Sequence, residues 1–180
     1  KKYTMFTFKY FQEIDSMLIL SELYLLLEWE IKEDCKNGNL PYSLEELENT
    51  KGVFKDLQTL FQGYVICFGK NDEIIWFSKF SPIAKQKKLS HNIQIGPILV
   101  KKEFRNQWIW KSLLEYGIKS TSFSVKNDLI NFYLFVNCNN NNAINLYTKF
   151  GFVILCKRSQ YVLNEWEYYD VYEMCYTNTV

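Results

Sequence analysis

No Cys-x-x-Cys pair occurs in this sequence, and its 180 residues include a single histidine, His91. The five cysteines, Cys35, Cys67, Cys138, Cys156 and Cys175, are odd in number and widely spaced. A zinc site or a Cys/His catalytic pair has too few ligands at workable spacing, so no metal is expected. Buried or free thiols in a reducing cytoplasm are the simpler reading. Charge of one sign is not in excess either: 21 basic against 20 acidic residues leave a formal +1. That balance lacks the broad basic footprint of a nucleic-acid binder. The longest apolar run, "MLILSELYLLLEWEI", is broken by Glu22, Glu28 and Glu30. It is too polar to span a bilayer and reads as an amphipathic helix, and no signal peptide is evident at Lys1.

What is present is apolar and aromatic. Hydrophobic residues make up 48% and aromatics 18%, a globular composition. A chain of this length is most simply one domain, residues 1–180, able to bury roughly two-thirds of its unfolded surface. "YTMFTFKYF" alternates like a first strand. The stretch from about Asp15 to Asp34 reads as a helix, and "SLEELENTKGVFKDLQTLF" as one or two more, Ser43 and Glu46 matching a capping box. "GYVICFGKNDEIIWFSKF" is a hairpin around Asn71 and Asp72. "HNIQIGPILV" is a strand whose Gly96-Pro97 pair predicts a bulge or splay. A helix follows to about Ser120, then a strand, "LINFYLFVN", apolar on both faces as a central strand would be. "NNNNAINLYTKF" is a short asparagine-capped helix stopping at Gly151, and "FVILCKR" and "EYYDVYEMCY" close the chain as strands. The order β-α-α-β-β-β-α-β-α-β-β predicts a mixed α/β sheet flanked by helices.

The chemistry sits in the second half. The strand 92–100 feeds a tight polar turn, "EFRNQWIW", and then a helix start. Successive backbone N–H groups and a dipole of about half a positive charge at such a point bind a diphosphate. A splay at Gly96-Pro97 would release strand groups beside it, able to pair with an extended amide-containing arm. A diphosphate followed by an amide-rich arm describes coenzyme A. Downstream, Asn140, Ala143 and Tyr147 are spaced to lie near one helical face, with Gly151-Phe152 following at once.

On these residues the sequence resembles the GNAT superfamily of acyl-CoA N-acyltransferases. The matching positions are Val100, Phe104, Arg105, Gln107 and Ile109, then Asn140, Ala143, Ile144, Leu146, Tyr147, Gly151 and Phe152, with Asp170 and Met174 placed as in many members. The resemblance covers about residues 60–176. It implies a mostly antiparallel sheet of about six to seven strands, splayed at strand 92–100. It also implies transfer of an acetyl group from acetyl-CoA to a primary amine by direct attack in a ternary complex. By the same resemblance, the backbone of Ile98, Leu99 and Val100 would hold the pantetheine arm and thioester. The loop and helix start, Arg105, Asn106, Gln107, Trp108, Ile109, Trp110 and Lys111, would cradle the diphosphate. Asn140 would touch the pantetheine arm beside Ala143. The Tyr147 hydroxyl would protonate the departing thiolate or stabilise it by a hydrogen bond.

The sequence departs from the family pattern in two places. Glycines are replaced at Asn106, Trp108 and Trp110; asparagine tolerates turn geometry, but the indoles must point away from the diphosphate. If instead they plug the groove, the chain is a degenerate binding module without catalysis. The base is also missing: the Tyr and His positions used by some protein N-terminal acetyltransferases fall on Gln94 and Phe135. Gln94 holding a water, His91 and Glu30 are the candidates left. An α-amine with pKa near 8 needs only about 1 kcal/mol to deprotonate at pH 7, whereas lysine at about 10.4 needs roughly 4.6. A site without a strong base therefore favours a protein or peptide N-terminus, or an amino sugar such as glucosamine 6-phosphate. The closing hairpin tips the expectation toward the protein substrate.

Overall fold

The computed structural model describes residues 6–10, 63–70, 74–84, 86–101, 104, 109–125, 129–164 and 167–179. Seven strands are seen: β1 (Thr7–Tyr10), β2 (Tyr64–Phe68), β3 (Ile74–Pro82), β4 (Asn92–Val100), β5 (Leu129–Asn137), β6 (Val153–Asn164) and β7 (Glu167–Thr179). Among the described residues two α-helices accompany them, α1 (Ile109–Val125) and α2 (Asn141–Phe150), with a 3-10 turn at Lys87–Leu89. The expected helices of the first half, the turn at Asn71 and Asp72, and Cys35 and Glu30 lie outside the described residues. Helix α1 runs five residues further than expected, to Val125. Strand β6 is also longer than "FVILCKR", because its pairing with β7 resumes at Val162 and carries it to Asn164.

The strands form one sheet in the order β1-β2-β3-β4-β5-β7-β6. Among the described residues only β4 and β5 run parallel; the other pairs are antiparallel. That single parallel pair is joined through α1, as a parallel connection requires a crossover. Strand β2 is buried along its whole length, which accounts for an apolar run with no period of two. Strand β5 differs from its expected two-sided burial. Ile130, Phe132, Leu134 and Val136 are buried, while Asn131, Tyr133 and Phe135 on the other face are only half-buried. One face of β5 thus packs under the helices and the opposite face is open.

The core joins Leu113, Leu114 and Ile118 of α1 to Phe80, Ile95, Phe132 and Met174 of the sheet. Helix α1 lies close to the sheet at Gly117, where a Cβ would stand 2.2 Å from Cζ of Phe80. Helix α2 joins the same side through aromatic packing: Phe150 meets Trp110 at 6.4 Å between ring centroids and Tyr176 at 5.4 Å. Cys67 is fully buried, and burial pushes its thiol up to about 12, so it behaves as an apolar core residue. Among the described residues no helix is long and apolar enough to cross a membrane.

Candidate active site

The site begins with a defect in the sheet. Against β3, the register of β4 shifts between the pairs Ser78–Ile98 and Phe80–Ile95, so the extra residue falls at Gly96-Pro97. Gly96 has φ of 151°, in the region that favours glycine. The bulge bends β4 away from β5. The parallel ladder pairs Asn92 with Asn131, Ile93 with Phe132 and Gln94 with Tyr133, and among the described residues no β4–β5 pair follows Gln94. Strand β5 meanwhile stays paired to β7 as far as Asn137. The result is a V-shaped gap with Gln94 and Tyr133 at its apex, Ile95–Val100 along one arm and Leu134–Asn137 along the other.

The first arm is held from behind. Ile98, Leu99 and Val100 pair with Ser78, Phe77 and Trp76 of β3, and the Lys101 N–H donates to the Ile75 carbonyl at 3.0 Å. A turn, closed by the Phe104 N–H on the Lys101 carbonyl at 2.9 Å, leads toward α1. Arg105, Asn106, Gln107 and Trp108 lie outside the described residues. Ile109 opens α1 with a buried side chain, so only its main chain is available to a ligand. Trp110 is half-buried and packs on Phe150, while Lys111 points outward and pairs with Glu115 at 3.7 Å.

The second arm ends in the turn that starts α2. Asn140 is the N-cap, its Oδ1 accepting the Ala143 N–H at 3.1 Å. Gly151 closes the helix in the left-handed region with φ of 117°, its N–H on the Tyr147 and Thr148 carbonyls. These two caps fix the helix rotation. Tyr147 accordingly sits on the sheet side, with its ring 5.8 Å from that of Phe152. Burial pushes the Tyr147 phenol up to about 12, so its hydroxyl keeps its proton at neutral pH and acts as a donor.

The open face at the apex carries polar groups that the sequence reading passed over. Asn131 Nδ2 donates to Asn92 Oδ1 at 3.1 Å, and Thr177 Oγ1 donates to Asn131 Oδ1 at 2.9 Å. The Tyr133 hydroxyl stands 3.4 Å from Asn92 Oδ1, and burial together with Cys175 raises its pKa. Gln94 lies beside Tyr133 with its side chain exposed. His91 is one residue outside the ladder, its carbonyl accepting the Asn131 N–H at 2.9 Å. Phe135 stacks on Tyr161, at 5.3 Å and 28°. Gln94, Tyr133 and Phe135 thus share the open face beside the gap. Gln94 and Phe135 were marked in the sequence by the family positions they occupy, whereas Tyr133, Asn131 and Thr177 were not.

A splayed parallel pair followed by a helix start, with a second capped helix beside it, can take an extended amide arm along β4 and an acyl group at the apex. Comparison with known proteins fits this geometry. The model of the GNAT family of acetyltransferases matches residues 25–152. Solved structures of the same fold include a GNAT-family acetyltransferase from Streptococcus pneumoniae, at TM-score 0.70 and 19% identity, covering 97% of this chain and 100% of that one. A ribosomal-protein-alanine N-acetyltransferase from Brucella melitensis aligns at TM-score 0.69 and 14% identity, over 97% and 99% of the two chains. A spermidine N-acetyltransferase from Vibrio cholerae, solved with CoA and spermine, aligns at 0.68 and 16%, over 96% and 95%. Comparison with curated protein sequences gives no significant match. The structural likenesses carry the fold, and the family match over most of the chain carries the class: the chain belongs to the GNAT family and is an acetyl-CoA-dependent N-acetyltransferase.

Proposed function

We propose that residues 1–180 form one cytoplasmic acetyltransferase domain whose acceptor is the amine of a protein or peptide N-terminus. The observation that supports it is the end of the β4–β5 ladder at Gln94, which leaves room for a thioester beside an open, partly exposed sheet face. Acetyl-CoA would run along Ile98, Leu99 and Val100, with its diphosphate at the turn from Arg105 through Lys111. The Asn140 side chain keeps its Nδ2 group for the pantetheine arm while its Oδ1 caps α2.

In the reaction the neutral amine nitrogen attacks the thioester carbonyl carbon. The C–S bond breaks, its electron pair goes to sulfur, and the amine proton passes to a water held by Gln94 at the apex. Tyr147 serves the leaving sulfur as a hydrogen-bond donor. Raised by burial to about 12, the phenol holds its proton more tightly than an ordinary thiol does, so full protonation of the thiolate is uphill. Among the described residues the open face shows no strong base at the apex, which favours an acceptor of low pKa. The Brucella likeness supports the protein substrate, and the Vibrio likeness supports a small amine as the second reading.

The test is thiol release from acetyl-CoA, read with a thiol dye, across peptides with free N-termini, glucosamine 6-phosphate and polyamines. Turnover is expected with peptides. Silence across the panel, together with no acetyl-CoA binding by calorimetry, would establish the degenerate binding module instead.

The tryptophans of the loop give a second expected result. Trp108 lies outside the described residues; were it helical, its spacing of two from Trp110 would put the indoles about 200° apart, too far for both to face the diphosphate. Trp110 packs on Phe150 of α2. Trp108→Gly and Trp110→Gly are each expected to weaken acetyl-CoA binding or lower thermal stability. Tighter binding in either variant by calorimetric titration would mean that the indoles plug the groove.

A further inference from the structure

Strand β6 is the edge of the sheet, yet it bends over the open face. Between Arg158 and Val162 its register against β7 shifts, so that Ser159, Gln160 and Tyr161 stand opposite Asp170 alone. Gln160 takes φ of 53°, uncommon for a residue with a side chain. Asp170 holds the distortion: one carboxylate oxygen accepts the Gln160 N–H at 2.8 Å and the other pairs with Lys157 at 2.6 Å. The bulge carries Tyr161 across β7 to stack on Phe135 of β5. Arg158 lies against both rings, its guanidinium carbon 5.6 Å from the Phe135 centroid and 5.3 Å from that of Tyr161. Arg158 Nε donates to Glu173 Oε2 at 2.8 Å, and Nη2 donates to the same oxygen.

This group stands next to the reacting centre. Phe135 is two residues beyond Tyr133, the last β5 residue paired with β4, and shares its face. The Arg158 side chain is 44% exposed and Tyr161 50%, so solvent and ligands reach them. An exposed ion pair contributes little to stability, and so does not account for a backbone distortion in an edge strand. A guanidinium set beside two stacked rings and held by one carboxylate has already lost much of its rotamer freedom. Glu173 Oε2 takes two of its five N–H donors, and the rest form a planar fork suited to a second oxyanion.

We propose that Arg158, lying against the stacked rings of Phe135 and Tyr161, is an acceptor-specificity residue that binds an anionic group, carboxylate or phosphate, carried by the amine. The proposal rests on acetyl transfer at the β4–β5 gap and adds the acceptor's charge to it. The amine reaches the apex while its anionic group stays on the hairpin side.

The experiment measures thiol release from acetyl-CoA with paired acceptors: a peptide beginning Met-Glu against one beginning Met-Gln, and glucosamine 6-phosphate against glucosamine. Wild type is expected to favour the anionic member of one pair by about tenfold in KM, the scale of a single charge-assisted contact. Which pair shows the preference tells a peptide carboxylate from a phosphate. Arg158→Ala should bring the ratio to about one, with KM for acetyl-CoA unchanged and thermal stability retained, and Arg158→Lys should restore part of it. Equal use of both members by wild type, or a preference that survives Arg158→Ala, overturns the proposal. If no acceptor turns over, calorimetric titration of the acidic peptide and glucosamine 6-phosphate into CoA-treated protein decides it. Binding lost in Arg158→Ala upholds the anion site even where the transfer reading fails. Binding by neither compound, or equally by both proteins, overturns it.

Discussion

Tyr147→Phe is expected to lower kcat by about 10²-fold with little change in KM for acetyl-CoA. The substitution removes one oxygen and keeps the ring, so the packing against Phe152 at 5.8 Å persists and thermal stability should barely move. On the proposed role, what is lost is a donor that burial keeps protonated, with a pKa of about 12, where negative charge would develop on sulfur. The donor strengthens its bond only as the C–S bond breaks, so the effect belongs in kcat and not in ground-state binding. The pH profile adds a check. A phenol near 12 stays protonated through neutral pH, so its own titration should leave no rise or fall in kcat below about pH 10. An unchanged kcat in Tyr147→Phe would make the residue a packing group, and the thiolate would then leave without its help.

Gly117→Ala is expected to destabilise the fold by about 1–3 kcal/mol, despite alanine's better helix propensity of about 1 kcal/mol. The added Cβ would stand 2.2 Å and 2.3 Å from two ring carbons of Phe80, well inside van der Waals contact. Phe80 cannot easily yield. It is 2% exposed, and its far side meets Phe132 edge-on at 6.4 Å. Relief therefore requires α1 to lift from the sheet. Because α1 begins at Ile109, lifting it also moves the helix start that borders the gap, and acetyl-CoA binding should weaken with stability. For a chain of this length each kcal/mol corresponds to roughly 2–4 °C in Tm. Phe80→Leu in the Gly117→Ala background should recover part of the loss, a coupling that a double-mutant cycle reads directly. An unchanged Tm in Gly117→Ala would mean that helix and sheet adjust at that contact without cost.

Much of the site's frame was written locally. Asn140 caps α2 and Gly151 ends it because each cap needs only residues within a turn of itself, and both types favour those conformations. The Gly96-Pro97 pair marked the bulge for a similar reason, since neither residue supports a regular ladder. The spacing from Asn140 to Phe152 carried the family resemblance in the same way. The open face of β5 was misjudged, because Tyr133 and Phe135 are apolar enough to read as core, and composition does not say which face a sheet leaves uncovered.

By itself, then, the sequence determined the element order of its second half, the two caps of α2, the break in β4 and the membership that follows from them. Each depends on residues a few positions apart. The tertiary structure alone decided that β7 lies between β5 and β6, that Gly117 rests on Phe80, and that Tyr161 reaches Phe135 with Arg158 against both rings. The ring stack joins residues 26 positions apart in the chain, Arg158 and Phe135 are 23 apart, and the helix contact spans 37. They exist because a bulge clamped by Asp170 and a strand inserted out of chain order bring the residues together. Such placement is set by burial of the whole sheet, which no short stretch of sequence records.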